Sequence, residues 1–311
     1  MGNRAQVLVP ATTANLGAGF DCLGMALDLY NSFDFELGSN EFSVTGEGAG
    51  ELEASQGRLV YRAWNAAYAS VSRVAPPVKL HIESQIPIGR GLGSSATAVV
   101  AGLYAANRLG NLQLGVDELL SLAARIEGHP DNVAPALLGG LVVSSMGEQP
   151  GEIDHIVLEP PDGLQLVLAV PAFELSTTKA RSVLPKLVPH SHAVFNVGRA
   201  ALFIAAWAKQ DWDLLGKAMD DRLHQPFRAI LVPGLVQVLS AAVEAGALGS
   251  ALSGAGPSVV ALTIRKPYDV GEAMQSAFAA HGVECRVILT KPAGRGAHLA
   301  RSHIDGWEGE L

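Results

Sequence analysis

Cysteine is nearly absent from this chain. Cys22 and Cys285 are the only two in 311 residues, far apart and without metal-ligand spacing. That excludes a disulfide framework and a zinc cluster, and it suits a reducing compartment. Charge is sparse too: 17% of residues are Asp, Glu, Lys or Arg, the net charge is −8, and no lysine/arginine run or aromatic–basic stripe occurs. Nucleic acid and anionic membrane surfaces are therefore not expected as partners. A stretch such as Leu137 to Val143 is far too short to span a bilayer. Near the start, Pro10, Thr12, Thr13 and Asn15 interrupt what a signal peptide would need as an apolar core, and Gln6 stands where a myristoylation motif requires Ser or Thr. The expectation is a soluble, cytoplasmic protein with neither internal repeats nor low-complexity segments.

Apolar residues, by contrast, make up 49% of the chain, enough for a full core and, at this length, two domains. The turn-rich segment from Gly147 to Gly151 places the boundary near residue 150, giving domains 1–150 and 151–311. Alternation predicts strands at Gln6–Val9, Val78–Ser84 and Leu141–Ser145, and a pair of strands at Asn31–Leu37 and Glu41–Glu47. A helical period predicts helices at Leu59–Ser72, Ser95–Leu109 and Val116–Glu127. Beyond the boundary, the near-continuous apolar run Leu164–Val170 suits a buried central strand. Helices are expected at His192–Lys209, Leu235–Ala245 and Tyr268–His281, and strands at Ser258–Ile264 and Glu284–Leu289. Strands split by helices without strict alternation indicate an α+β sandwich.

The glycines are concentrated where they carry meaning. Pro87-Ile88-Gly89-Arg90-Gly91-Leu92-Gly93-Ser94-Ser95-Ala96 runs into the apolar stripe of Ala96, Val99, Val100, Leu103 and Ala106. Glycines expose bare N–H donors, Ser94 or Ser95 can cap the helix, and the helix dipole favours an anion at its start. No lysine precedes the serines, so this is not a Walker A loop, and the glycine spacing is not that of a Rossmann fingerprint. An ordinary loop-to-helix connection would read the same way.

Four further segments carry potential chemistry. Pro10 to Asp21 sets Thr, Asn, Gly and Asp directly after a strand, as an active site or as a turn with a helix cap. Glu127-Gly128-His129-Pro130-Asp131-Asn132 offers hard oxygen ligands of the kind Mg²⁺ takes, or a plain helix end. Leu248 to Ser258, including Ser253-Gly254-Ala255-Gly256-Pro257, reads as a second glycine-rich loop leading into a strand and able to approach phosphates through its backbone N–H groups. Ser176 to Arg181 and His224 to Arg228 each end in an arginine able to grip a carboxylate or simply to face solvent.

In this order and together, the segments resemble the GHMP kinase superfamily over nearly the whole chain. The resemblance implies an α+β two-domain fold, with a ribosomal-S5-like N-terminal domain that binds ATP and a ferredoxin-like C-terminal domain. Ala14 to Asp21, Glu127 to Pro135 and the segments ending in Arg181 and Arg228 are most similar to the homoserine kinase family. That likeness implies ATP-dependent phosphorylation of the alcohol group of L-homoserine in threonine biosynthesis, with ATP and Mg²⁺ required and room for a homodimer. On this resemblance Asn15, Asp21, His129, Asn132, Thr177, Arg181 and Arg228 bind the substrate, Asp21 facing its ammonium and the two arginines its carboxylate. Ser95 and Glu127 ligate Mg²⁺. Pro87, Ile88, Gly89, Arg90, Gly91, Leu92, Gly93, Ser94, Ser95 and Ala96, with Gly254 and Gly256, surround the nucleotide.

Asn132, Ser95 and Glu127 are the residues the resemblance places at the reaction. Mevalonate-type relatives are expected to carry an aspartate base where Asn132 stands, and an amide cannot serve as one. Positioning and charge stabilisation would then carry the transfer; whether Asp131 assists is left open. Two departures stand out: Arg125 replaces an expected acid, and Arg301–Leu311 extends past the recognisable pattern. A mevalonate-like small-alcohol kinase and a non-catalytic nucleotide-binding relative remain as other readings.

Overall fold

Strand β1 (Arg4–Ala14) alternates in burial as far as Val9 and is then buried on both faces. The switch reflects what covers it. Val7 and Val9 join a core under helices, whereas Ala11 joins a second core shared with the other half of the chain. Its antiparallel partner is β2 (Leu23–Leu37), and the register shifts between Pro10 and Ala11. Proline lacks the N–H a regular ladder needs, so an irregularity is the natural place for it. The computed structural model describes residues 2–49, 56–149 and 151–300.

In the described residues, β3 (Phe42–Gly46) pairs parallel with β4 (Val78–Ser84), the crossover carrying helix α1 (Gln56–Ser70). Helices α2 (Ser94–Gly110), α3 (Val116–Glu127) and α4 (Pro130–Leu138) follow, then β5 (Leu141–Met146) and β6 (Ile153–Leu158). The first sheet has seven strands, in the order β11-β1-β2-β4-β3, with β5 on β2 and β6 on β5; β11 (His298–Leu299) comes from the far end of the chain. Its core gathers Phe33, Phe35, Trp64, Val99 and Leu120 between sheet and helices.

A second, antiparallel sheet is built from β7 (Gln165–Pro171), β8 (Gly249–Leu252), β9 (Val259–Thr263) and β10 (Cys285–Thr290), in the order β10-β7-β9-β8. Between β7 and β8 run α5 (Thr177–Ser182), α6 (His190–Lys209), α7 (Trp212–Ala218), α8 (Gln225–Arg228) and α9 (Leu235–Glu244); α10 (Pro267–Ala279) links β9 to β10. This is the split β-α-β-β-α-β arrangement of a ferredoxin-like domain. The shared core packs Leu16, Met25, Leu27 and Leu92 against Leu166, Leu168, Phe203 and Trp207, fixing one half on the other. No single helix among the described residues is long and apolar enough to cross a membrane.

Four expectations differ from the structure, the first being the glycine-rich segment from Leu248 to Ser258, where Gly249–Leu252 is strand β8 paired with β9 rather than loop. Pro10 to Ala14 is strand rather than loop: Thr12 and Thr13 suit a pleated surface and pair with Ala26 and Met25. The strands expected at 31–37 and 41–47 do not pair with each other but lie on either side of β4. β6 continues the first sheet past residue 150, so the chain leaves that sheet only after Leu158, and β11 returns to it. Pro150, within the expected boundary, and the extension 301–311 lie outside the described residues.

Candidate active site

The glycine loop between β4 and α2 is held from two sides. Gly91 and Gly93 have φ of +74° and +70°. A Cβ on Gly93 would stand 1.9 Å from Thr12 Oγ1, and one on Gly91 2.2 Å from the Ser253 carbonyl oxygen. Only glycine fits either position. Thr12 N–H donates to Leu92 O at 3.1 Å, and Ser253 Oγ donates to Gly91 O at 2.7 Å. The second glycine motif braces the first from behind, with Gly254 N–H donating to Ala14 O at 3.0 Å.

The expected serine cap of α2 is not formed. Gly93 occupies the cap position in the left-handed conformation, with no side chain to cover the first-turn N–H groups. Ser95 Oγ turns instead to Glu127, 2.6 and 2.7 Å from its two carboxylate oxygens. Glu127 is held there because α3 ends at it: Gly128, with φ of 97°, returns its N–H to Ala124 O. Two adjacent hard oxygen donors fit Mg²⁺, which takes its remaining ligands from phosphates and water. No group of three or more His, Cys, Asp or Glu side chains among the described residues forms a rival metal site.

Pro130 opens α4 and places Asp131 and Asn132 in its first turn. Asp131, almost fully buried, accepts from His129 Nδ1 at 2.5 Å and from Asn132 Nδ2 at 3.3 Å. Asn132 Oδ1 in turn accepts from Thr12 Oγ1 at 2.8 Å, which fixes which end of the amide faces which partner. Burial alone would lower the His129 pKa, but the hydrogen bond and charge of Asp131, aided by Glu127 and opposed by Arg181, raise it. Asp131 therefore orients an imidazole and an amide.

Opposite lies a cluster of charge. Arg181 grips Asp21 in bidentate fashion, Nη1 to Oδ2 at 3.0 Å and Nη2 to Oδ1 at 2.6 Å. Arg228, 1% exposed, donates through Nη1 to Gly254 O at 3.0 Å and through Nε to Ala180 O at 3.3 Å. Burial, with Arg181 adding to it, pushes its pKa down to about 10, so it stays a cation at neutral pH. Both guanidinium groups lie over the Phe20 ring, 5.5 and 5.2 Å from its centre. Asn15 shapes the Asp21 turn: its Oδ1 accepts from Asp21 N–H at 3.0 Å and its Nδ2 donates to Gly254 O at 2.8 Å. The Cys22 thiol is pushed up to about 11 by burial and by the nearby carboxylates of Asp131 and Asp21, and is no nucleophile.

One cavity of about 250 Å³ collects these groups: Asn15, Asp21, Glu127, His129, Asp131, Asn132, Thr177, Arg181, Arg228, Gly254 and the loop from Pro87 to Ser95 line it. Two expected members are absent from the lining. Ala96 is fully buried in α2, and Gly256 lies behind the loop, its N–H donating to Ser253 O at 2.8 Å. Arg90, the basic residue within the glycine loop, spends its guanidinium on Pro171 O at 3.0 Å, Ala172 O at 2.6 Å, Ile88 O and Glu174, and so ties the loop to β7. Leu59 also lines the cavity and was not expected there, while Thr12 and Phe20 of the Pro10–Asp21 segment and His224 of the His224–Arg228 segment, given no individual role from the sequence, support the lining residues Asn132, Arg181 and Arg228.

Comparison with known proteins places this arrangement. Residues 58–140 match the family model for the GHMP kinase N-terminal domain and residues 203–284 that for the GHMP kinase C-terminal domain. The homoserine kinase of Moorella thermoacetica is 49% identical over 293 residues, spanning 94% of this chain and 98% of that protein. The chain belongs to the homoserine kinase family of GHMP kinases. The homoserine kinase of Carboxydothermus hydrogenoformans is 46% identical over 296 residues, 94% of this chain and 95% of its own. A crystal structure of homoserine kinase from Cytophaga hutchinsonii superposes with a TM-score of 0.85 at 31% identity, covering 96% of this chain and 98% of that one. As a GHMP kinase of this family the chain is an ATP-dependent phosphotransferase acting on an alcohol, with the two-domain fold of that family.

Proposed function

We propose that the chain transfers the γ-phosphoryl group of ATP to the side-chain hydroxyl of L-homoserine, giving O-phospho-L-homoserine and ADP. The observation that carries this reading is the meeting of Asp21, Arg181 and Arg228 at one end of the cavity that the glycine loop and Glu127 close at the other. One anion and two cations suit an amino-acid head, with its ammonium toward Asp21 and its carboxylate toward the arginines. A sugar brings neither charge to these groups, and mevalonate brings a carboxylate but no ammonium for Asp21.

Glu127 and Ser95 would hold Mg²⁺, which neutralises phosphate charge when bound. The loop from Gly89 to Ser95 offers backbone N–H groups and the uncapped start of α2 to the phosphates. No strong base touches the acceptor hydroxyl in this reading. Asn132, locked by Thr12 and Asp131, holds and orients it, and the loose character of phosphoryl transfer makes alignment and charge neutralisation the larger contributions. His129, oriented by Asp131, completes the wall beside Glu127.

The test is ADP release with ATP, Mg²⁺ and a panel of alcohols. Turnover with L-homoserine and none with mevalonate is expected. Turnover with mevalonate and none with L-homoserine would overturn the assigned acceptor, and ATP binding without ADP release for any alcohol would overturn catalysis itself.

A further inference from the structure

Behind the charged end of the cavity lies a buried polar chain that no step above uses. His224 is fully buried. Its Nε2 faces two acceptors, Gly17 O at 2.8 Å and Asp221 Oδ2 at 3.5 Å. Its Nδ1 faces Arg228 Nη1 at 3.3 Å, and a guanidinium offers only donors. The partners therefore fix the tautomer: the proton sits on Nε2, and the Nδ1 lone pair receives Arg228. Burial holds the imidazole pKa below its ordinary value, with Arg228 acting in the same sense against Asp221, the Gly17 carbonyl and Asp21.

Asp221 is itself immobilised. It accepts from the backbone N–H groups of Leu223, His224 and Gln225 at 2.8, 3.0 and 2.6 Å, and from Asn196 Nδ2 at 2.7 Å. On the other side, His224 stacks on Phe20 with ring centres 5.1 Å apart. Phe20 is the ring over which both arginines lie, and it precedes Asp21 in the chain. One imidazole thus joins the turn that carries Asp21 to the helix that carries Arg228.

We infer that His224 is a positioning residue for the substrate's carboxylate: as the Nε2–H tautomer it ties the Gly17 turn to Arg228 and aims that guanidinium into the cavity. The inference rests on the proposed use of Arg228. A protonated His224 would set an N–H and a positive charge against another cation, so the site needs this histidine neutral.

Two substitutions divide its hydrogen bonds. His224→Asn sets an amide oxygen near the place of Nδ1 and keeps the acceptor for Arg228, whereas His224→Gln reaches the place of Nε2 and keeps only the donor to Gly17. His224→Gln should raise the KM for L-homoserine about tenfold or more while the KM for ATP stays within about twofold, and His224→Asn should recover most of the loss. Equal effects of the two variants, or parallel rises in both KM values, would overturn the inference and leave His224 a packing residue. Should neither variant fold, ¹⁵N spectra of the histidines in the wild-type protein decide. A bare Nδ1 and a protonated Nε2 at His224 are expected, and the opposite tautomer contradicts the assignment. That spectrum needs no substrate, so it stands whether or not L-homoserine is turned over.

Discussion

Replacing Asp21 by Asn separates the charge that recognises the substrate from the charge that fills the site before the substrate arrives. In the structure Asp21 is fully paired with Arg181, yet both side chains are about one-third exposed, at 35% and 36%. Solvent screens such a pair, so its loss should cost about 1 kcal/mol or less of folding stability. Binding is affected more strongly. A charge-assisted hydrogen bond to the ammonium contributes about 1.5–3 kcal/mol. Part of that is offset because the wild type must first open the Asp21–Arg181 pair, and the variant need not. The net loss is about 1–2 kcal/mol, or a roughly 5- to 30-fold fall in kcat/KM for L-homoserine. Steady-state kinetics with each substrate varied should find the KM for ATP nearly unchanged. The freed Arg181 should also let 4-hydroxybutanoate, which has the carboxylate but no amine, inhibit the variant better than the wild type. A homoserine kcat/KM within about twofold of wild type, or an equal penalty on ATP, would refute the placement of the ammonium at Asp21.

Other perturbations probe the remaining parts of the cavity. Glu127→Gln removes the carboxylate beside Ser95, and it should raise the Mg²⁺ concentration for half-maximal rate by about tenfold or more while leaving the KM for L-homoserine nearly constant; a Mg²⁺ titration at saturating substrates checks this. Gly93→Ala forces a Cβ to within 1.9 Å of Thr12 Oγ1 at a φ of +70°; the left-handed strain alone costs about 1–2 kcal/mol, and a denaturant midpoint and ATP titration should both fall. His129 has a raised pKa, so its contribution with Asp131 is fully present below the unfolded value of about 6.5 and fades as pH rises through the folded value. The stability lost in His129→Gln should accordingly be larger at about pH 6 than at about pH 9, as read by urea unfolding.

Much of this molecule could be read from its residues, for physical reasons. Val78–Ser84 and Val116–Glu127 carry clean periods of two and 3.6, and their bounds match β4 and α3. The buried run at Leu164–Val170 became β7, flanked on both edges by β9 and β10. Thr12 and Thr13 were harder: they resemble turn residues in isolation, and only their pairing to β2 and their hydroxyl contacts with Asn132 and Ser253 make them strand. Long-range geometry was the part that could not be read. Nothing local to Arg90 announces that its guanidinium is consumed by the carbonyls of β7's end, and nothing near Gly256 announces that it packs behind the first glycine loop instead of lining the cavity. Asp21 and Arg181 were each expected to face substrate. Their mutual pairing, 160 residues apart in sequence, is a property of the fold alone.

The central claim is that the charged end of the cavity selects an amino-acid head, and the most direct measurement is kcat/KM for L-homoserine beside its two single-headed analogues, 4-hydroxybutanoate and 3-aminopropan-1-ol, under saturating ATP and Mg²⁺. Each analogue forgoes one of the two charged contacts to the head group, so each should fall by roughly 10-fold or more. An analogue turned over within about fivefold of L-homoserine would contradict the account.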